Sequence, residues 1–369
     1  MSYLSTHTMQ HTQTPQTIVV RAPNWIGDQI MAYPFFHYLR RGYPAAQITS
    51  VCMPWVDAVQ FRHLVDTVCV LPQPHDTSVW ARAWALERGA RLLRTHGPWD
   101  LGLCLPNSFS SAWLLARAGV QWRRGYSTDG RGWLLHERLR WEPQALRHQA
   151  EAYVHLLPEH VRPDRAVQDF WEPPCGAGSS ADPRRSREQF DARRAWPVDT
   201  LIAPPAQAYW VLAPGSMAPA RRWPVERFAA LARQIAHATG LAGLVVGGTA
   251  ESALADQLCQ DAALKLADFT ARGVVAAYWQ LFRQARFTVS NDSGLAHVAA
   301  LCGSPVYIVY GAGNPRKIRP LGPGPSHVLH HPVDCWPCER NVCYQPPERT
   351  IACLRGVYPE AVWKEIERS

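Results

Sequence analysis

The chain has 369 residues, enough for two domains of ordinary size, and its 47% hydrophobic and 18% charged residues are typical of a protein with a large buried core. No apolar run approaches the roughly 20 residues that a membrane-spanning helix needs. The polar residues 1–17 lack the apolar centre of a signal peptide, so we expect a disordered lead-in and a cytoplasmic protein. The net charge of +8 favours nucleic acid, a phosphorylated glycolipid or an anionic membrane face, or reflects only an arginine-rich composition. Recognisable nucleic-acid-binding motifs are absent.

The first half of the chain, residues 18–171, alternates short apolar runs with helical patterns. A β-branched run at 17–20 leads into a polar turn that contains Asp28. Because Pro34 is tolerated only in the first turn of a helix, we predict a helix from about Met31, with Asp28 in the loop before it. Further predicted strands lie at 48–53, 67–71 and 101–105, and helical patterns lie at 78–93 and 110–118. This alternation predicts a parallel sheet covered on both faces.

Residues 172–205 are rich in Pro, Gly, Ser and charge, and we predict that they link two domains. The second domain, 206–358, repeats the alternation: a strand at 209–213, a helix from Pro224 to Gly240, and a strand at 241–246. A helix at 274–285, a strand at 287–290 and a strand at 306–310 follow, and a C-terminal helix occupies 359–369. Two α/β domains of this kind predict a ligand at the carboxyl ends of the strands, in a cleft between them.

The candidate ligand-binding residues of the second half lie where strands give way to helices. Small residues at such turns let backbone N–H groups approach a phosphate, and Arg221 adds a fixed positive charge. Glu251 follows a third strand, where an acidic side chain can bind ribose hydroxyls, although surface Glu is common. Capping of the following helices is the alternative for Ser216 and Asp292, and His297 is equally compatible with an ordinary helix position. The phosphate-turn candidates are Ser216, Arg221, Asp292, Ser293, Gly294 and His297.

In the first half, Asp28 is the candidate base. An Asp with an ordinary pKa of about 3.9 is ionised at neutral pH and can take a proton from a sugar hydroxyl. A helix cap is the alternative interpretation. No two Asp residues of the chain are separated by a single residue, so an acidic pair of that kind is not present to bind a metal. Helix termini and Arg221 would then stabilise a diphosphate leaving group.

Four cysteines near the C-terminus are spaced C-x2-C-x4-C-x9-C, which is compatible with a structural zinc or iron site or with four free thiols. A catalytic metal is not expected there, because four protein ligands leave no open position. The cluster consists of Cys335, Cys338, Cys343 and Cys353.

Five segments, in order, resemble the ADP-heptose:lipopolysaccharide heptosyltransferases of glycosyltransferase family 9, and most closely the heptosyltransferase II branch. The cysteine cluster is also similar to one found in many members. Arg221 stands where the family commonly has Lys, and Asp268 replaces a Gly. The matching segments are Asn24-Trp25-Ile26-Gly27-Asp28, Leu105-Pro106-Asn107-Ser108-Phe109, Ala213-Pro214-Gly215-Ser216, Ala220-Arg221-Arg222-Trp223-Pro224 and Ser290-Asn291-Asp292-Ser293-Gly294-Leu295-Ala296-His297.

The resemblance implies a GT-B fold, with two Rossmann-like domains whose parallel sheets face a central cleft, and a C-terminal helix that packs back toward the first domain. It implies an inverting transfer that requires no catalytic cofactor, with Asp28 as the general base. Asn107 and Ser108 would lie on the acceptor side. The donor contacts would come from Ser216, Arg221, Glu251, Asp292, Ser293, Gly294 and His297.

The sequence therefore predicts transfer of L-glycero-D-manno-heptose from ADP-heptose to the inner core of lipopolysaccharide, at the cytosolic face of the inner membrane, without a nucleic-acid partner. Two alternatives remain open. A heptosyltransferase of the same fold could act on protein hydroxyls or on an outer-core sugar. A non-catalytic nucleotide-sugar-binding protein could retain the fold, although the presence of both Asp28 and Arg221 disfavours it.

Overall fold

The computed structural model describes residues 14–142, 147–164, 166–171 and 190–369. These residues form two compact units. The first extends to Phe170 and includes Arg194–Trp196, and the second contains Trp171, residues 190–193 and Pro197–Ser369.

The first unit is built on a six-stranded sheet in the order β3-β2-β1-β4-β5-β6, in which every neighbouring pair is parallel. Its strands are β1 (Thr17–Arg21), β2 (Gln47–Cys52), β3 (Thr67–Val70), β4 (Leu101–Cys104), β5 (Trp122–Tyr126) and β6 (Glu137–Leu139). Its helices are α1 (Ile26–Met31), α2 (Tyr33–Gly42), α3 (Val79–His96), α4 (Phe109–Arg117), α5 (Gln149–His155) and α6 (Ala192–Ala195), the last of which is divided between the units.

The second unit repeats this strand order in a second parallel sheet, β12-β11-β10-β7-β8-β9. Its strands are β7 (Tyr209–Ala213), β8 (Ala242–Val245), β9 (Leu266–Asp268), β10 (Thr288–Asn291), β11 (Val306–Tyr310) and β12 (Ser326–His330). Its helices are α7 (Val225–Thr239), α8 (Ser252–Cys259), α9 (Trp279–Gln284), α10 (Gly294–Leu301), α11 (Pro315–Ile318), α12 (Ala352–Arg355) and α13 (Pro359–Arg368).

The sequence patterns explain the well-predicted elements of the second unit. β7 is buried along its whole length, as its continuous apolar run requires. α7 buries Phe228, Leu231 and Ile235 on one face, and Gly240 ends it with a φ of 69°, which a residue with a side chain rarely adopts. Pro224 is the N-cap of this helix, one position earlier than predicted.

Three local predictions were wrong. The disordered lead-in was predicted to extend through Thr17, but Thr17 opens β1, as the β-branched run at 17–20 indicates; the prediction for residues 1–13 lies outside the described residues. Asp28 lies inside a helix, the six-residue α1, because Pro34 belongs to the first turn of a separate helix, α2. The predicted helix at 274–285 is a 3-10 turn, Val275–Tyr278, followed by the short α9.

Residues 172–189 of the predicted linker lie outside the described residues. The part that follows contains α6, and Trp196 beside it is buried. In the first unit the Arg62 backbone N–H donates to the Ala195 carbonyl at 3.1 Å. The later part of the predicted linker is therefore packed into the fold, and its role as a link between two domains stays a prediction.

The C-terminal helix α13 packs within the second unit. Val362 of α13 belongs to the same buried cluster as Phe228 and Leu231 of α7. The expectation that this helix also lies near the first domain stays a prediction.

Candidate active site

In the first unit, Asp28 lies in the first turn of α1, shortly after the carboxyl end of β1. Its side chain is half-buried, and the Tyr153 hydroxyl of α5 donates a hydrogen bond to Asp28 Oδ1 at 3.1 Å. Burial, and then the neighbouring Asp28 carboxylate, raise the pKa of Tyr153 well above its usual value. Tyr153 therefore stays protonated and acts as a donor that fixes the orientation of the Asp28 carboxylate.

The loop that leads into α1 is held from two sides. Arg21 is buried at the end of β1, and its guanidinium donates to Asn24 Oδ1 at 2.5 Å. The exposed Trp55 donates from Nε1 to the Asn24 carbonyl at 2.6 Å. Trp25, which is also exposed, is the N-cap residue of α1. These contacts hold in place the loop that connects β1 to Asp28.

Asn107 and Ser108, predicted on the acceptor side, follow the carboxyl end of β4. Both are held by Arg131, which is 0% exposed: its guanidinium donates to Asn107 Oδ1 at 3.3 Å and to the Ser108 carbonyl at 3.0 Å. Ser108 is also the N-cap residue of α4, although its side chain makes no capping bond. The sequence did not reveal Arg131, because an arginine between two glycines is typical of an exposed turn.

In the second unit, Arg221 and Asp292 form an ion pair with 3.3 Å between Nη1 and Oδ2. Asp292 is 2% exposed, whereas a quarter of the Arg221 side chain is accessible. Burial, and then the Asp292 charge, raise the pKa of the nearby Tyr310 hydroxyl. The arrangement suits Asp292 to orient the guanidinium and Arg221 to meet an anion from solvent.

The backbone around Arg221 is anchored on both sides. Trp223 is buried in the core; its N–H donates to Asn291 Oδ1 at 2.9 Å, and its Nε1 donates to the Val357 carbonyl at 3.1 Å. On the other side, the Ala220 N–H donates to the Asn341 carbonyl at 3.0 Å. Arg221 is thus fixed by strand-end side chains and by the cysteine-rich segment.

The turn after β10 is closely packed. Ser216 Oγ donates to the Asp292 carbonyl at 3.3 Å, which joins the turns that follow β7 and β10. Gly313 lies so close that a Cβ atom there would stand 2.0 Å from Asp292 Oδ2. Ser293 and Gly294 begin α10 and remain partly accessible, whereas His297 is buried one turn later.

Glu251 lies over two turns, one after β7 that contains Gly215 and one after β8 that contains Gly247. A Cβ atom on either glycine would come within 2.7 Å of the Glu251 side chain. Glu251 Oε2 also accepts the Gly248 N–H at 2.9 Å. The structure therefore brings Ser216, Asp292 and Arg221 together, and it places Glu251 on the same edge of the sheet, beside Gly215.

Asp268, where the family pattern has Gly, closes a tight turn at the end of β9. Its Oδ1 accepts both the backbone N–H and the hydroxyl of Thr270, each at 2.7 Å. Thr270 Oγ1 in turn lies 3.3 Å from Ser252 Oγ at the start of α8. Asp268 therefore stabilises the turn at Thr270, which lies beside the start of α8 that follows Glu251.

The four clustered cysteines line one pocket beside Ala220. Cys343 Sγ accepts the Ile351 N–H at 3.4 Å, and burial raises the pKa of Cys353. Across the described ranges, no group of three or more His, Cys, Asp or Glu side chains is arranged to hold a metal ion. The predicted structural zinc or iron site is therefore not supported. The same segment supplies the Asn341 carbonyl that accepts the Ala220 N–H next to Arg221.

None of the helices in the described ranges combines the length and the apolar composition that a membrane span requires.

Most of the chain matches a known protein family. Residues 89–347 match the family described as "Glycosyltransferase family 9 (heptosyltransferase)". The lipooligosaccharide heptosyltransferase 2 of Haemophilus ducreyi is 27% identical over 319 residues, which cover 82% of this chain and 86% of that protein.

Solved structures show the same fold. Escherichia coli ADP-heptose heptosyltransferase II is similar with a TM-score of 0.69 and 22% identity, over 95% of this chain and 98% of that one. A family 9 glycosyltransferase from Veillonella parvula gives a TM-score of 0.72 at 20% identity, over 96% of each chain. The fold is thus GT-B, as predicted, and the chain belongs to glycosyltransferase family 9 and is a glycosyltransferase.

Proposed function

We propose that this enzyme transfers L-glycero-D-manno-heptose from ADP-heptose to the inner core of lipopolysaccharide. The observation that carries the proposal is the similarity, over most of the chain, to curated heptosyltransferases 2, together with the family match. The oriented carboxylate and the Arg221–Asp292 pair supply the two chemical requirements of such a transfer, a base and a binding group for a diphosphate.

On the acceptor side, Asp28 acts as the general base. As the acceptor hydroxyl oxygen attacks the anomeric carbon, its proton passes to the Asp28 carboxylate. Tyr153 holds that carboxylate, so a single orientation meets the hydroxyl. Asn107 and Ser108, positioned by Arg131, contact the acceptor sugars.

On the donor side, the bond between the anomeric carbon and the diphosphate oxygen breaks as the new bond forms, which inverts the configuration and releases ADP. Arg221 binds the departing diphosphate, and Asp292 keeps its guanidinium in place. The N–H groups of Ser293 and Gly294, two partly accessible residues at the start of α10, add donors, and the Ser216 hydroxyl joins this turn to the one after β7. His297, buried one turn later, completes the proposed donor site. Glu251 binds the ribose hydroxyls.

The transfer requires no metal, because an arginine and a helix terminus supply the positive field that the leaving group needs. A chelator is therefore expected to leave turnover unchanged.

Mass spectrometry of the products tests the proposal. Purified enzyme is incubated with ADP-heptose and with truncated lipopolysaccharides, an outer-core acceptor or a protein acceptor. The proposal predicts one added heptose on the heptosylated inner core alone. Transfer only to protein or to the outer core, or no transfer with any acceptor, would contradict it.

A further inference from the structure

The outer face of α3 carries two unusually exposed tryptophans. Trp80 is 84% exposed and Trp84 is 52% exposed. Trp80, Trp84, Arg88 and Arg91 are spaced i, i+4, i+8 and i+11, which places all four on one stripe of the helix. The opposite face is the one that packs on the first unit, through Ala81, Ala85, Gly89, Ala90 and Leu93. We call the four outward residues the α3 stripe.

The charge on this stripe is positive. The Arg88 guanidinium lies over the Trp84 ring at 4.5 Å. Glu87, the acidic residue of the helix, is shared by three arginines: Arg91 at 3.5 Å, Arg94 at 3.1 Å and Arg117 at 3.2 Å. One carboxylate cannot neutralise three guanidinium groups, so an excess of positive charge remains.

The charges that precede the helix do not reverse this balance. His75 and Asp76 lie 3.2 Å apart, and the His75 ring also meets the Trp84 ring edge-on. The stripe is thus an aromatic surface surrounded by arginines.

Tryptophan with arginine is the combination that suits the headgroup region of a bilayer. The indole ring has an apolar body and a polar N–H, and it prefers the boundary between acyl chains and water. Arginine attracts anionic lipids, and its aliphatic stem can lie along the apolar surface. A helix face that carries both residue types can therefore rest on the headgroup region of a bilayer while the opposite face stays packed on the protein.

We propose that the α3 stripe docks the enzyme on an anionic bilayer surface. This docking rests on the proposed function, because an enzyme must reach a lipid-anchored acceptor at the bilayer surface. The docking itself requires neither the donor nor turnover.

Cosedimentation with vesicles tests the docking. The full chain is mixed with vesicles of phosphatidylcholine and phosphatidylglycerol, and separately with vesicles of phosphatidylcholine alone. We expect binding to the mixed vesicles that weakens with added salt, and at least about tenfold weaker binding to the neutral vesicles.

Two double variants alter the stripe. Arg88→Gln with Arg91→Gln should weaken binding to mixed vesicles by about fivefold for each arginine removed. Trp80→Ser with Trp84→Ser should weaken binding even at high salt. The matched controls are Trp133→Ser, an exposed tryptophan elsewhere in the first unit, and Arg286→Gln, an exposed arginine in the second. The controls should bind like the parent, and unchanged thermal melting should show that every variant is folded.

Equal binding to neutral vesicles, unaltered binding by both double variants, or equal losses in the controls would overturn the proposal. So would a stripe-dependent affinity for RNA or DNA equal to that for the mixed vesicles. Transfer to a delipidated inner-core oligosaccharide provides the separate test of catalysis. The stripe variants should retain that transfer in full, so a failure of docking and a failure of the proposed function give different results.

Discussion

The two units share one strand order but carry different kinds of site. In the first unit, a half-buried carboxylate is oriented by one hydroxyl from a later helix, and exposed tryptophans lie nearby. In the second, Arg221 and Asp292 lie among backbone and side-chain hydrogen bonds that join the turns after β7 and β10. The difference matches the tasks proposed for the units: proton transfer needs one oriented proton acceptor, whereas holding a diphosphate needs several groups fixed together.

The surfaces differ in the same way. Among the described residues, the tryptophans that are largely exposed lie in the first unit: Trp25, Trp55, Trp80, Trp84 and Trp133. The second unit buries Trp210 and Trp223 in its core. The first unit thus presents aromatic side chains to solvent, whereas in the second unit the buried Trp223 holds the backbone next to Arg221.

The largest expected effect is a loss of turnover when Asp28 of the first unit is replaced. Asp28→Ala should lower kcat by roughly 10²- to 10⁴-fold, because it removes the general base. Release of ADP from ADP-heptose in the presence of acceptor measures the rate. Turnover close to that of the parent would show that Asp28 is not the base.

Arg221→Met should weaken donor binding in the second unit. It removes the accessible cation and leaves Asp292 buried without this partner, so ADP should bind about 10- to 100-fold more weakly. Isothermal titration with ADP measures the change, and Arg286→Met serves as the control. Unaltered ADP affinity would remove Arg221 from the donor site.

Tyr153→Phe should lower kcat by about tenfold while the donor KM stays unchanged, because the hydrogen bond that orients Asp28 is lost. Tyr126→Phe is the matched control, since its hydroxyl donates to the Ala152 carbonyl on the same helix and not to Asp28. Steady-state kinetics distinguish them; equal losses in both variants would indicate a structural effect only.

Gly313→Ala should destabilise the protein by about 1–3 kcal/mol, because the new Cβ would meet Asp292 Oδ2 at 2.0 Å. Gly273→Ala is the control, since its Cβ would meet its nearest neighbour at 3.4 Å, an ordinary contact. Urea unfolding measures both variants. A stable Gly313→Ala protein with parental ADP affinity would show that the turn adapts.

The smallest effect concerns acid stability of the first unit. Burial, and then Arg162, lower the pKa of His155 to about 4. Because the unfolded His takes up a proton near its ordinary value of 6.5 and the folded one does not, stability should fall as the pH drops between these values. His155→Gln should reduce this dependence in urea unfolding at about pH 7 and about pH 5, whereas the exposed His237→Gln should not.

The periodic parts of the fold followed from the sequence. β7 matched the predicted limits, and α7 began one residue after the predicted start, because a continuous apolar run and an i, i+3, i+4, i+7 pattern are local signals. α1 was missed, since six residues are too few to show a helical period and Pro34 marks the start of the next helix.

The candidate site was predicted only as far as local motifs reach. The strand-end turns at Ser216 and Asp292 could be found because small and polar residues follow apolar runs. Tyr153 and Arg131 could not, since the first bonds a residue 125 positions away and the second acts from a loop with no periodic pattern. Such partners depend on the tertiary fold, which no short segment of the sequence encodes.

The division of tasks between the units is tested most directly by titrating ADP-heptose into the Asp28→Ala protein. The account predicts a Kd for ADP-heptose within about twofold of the parent value, because Asp28 accepts the proton of the acceptor hydroxyl and does not bind the donor. Donor binding that is ten times weaker or more would contradict it, since the first unit's carboxylate would then be part of the donor site.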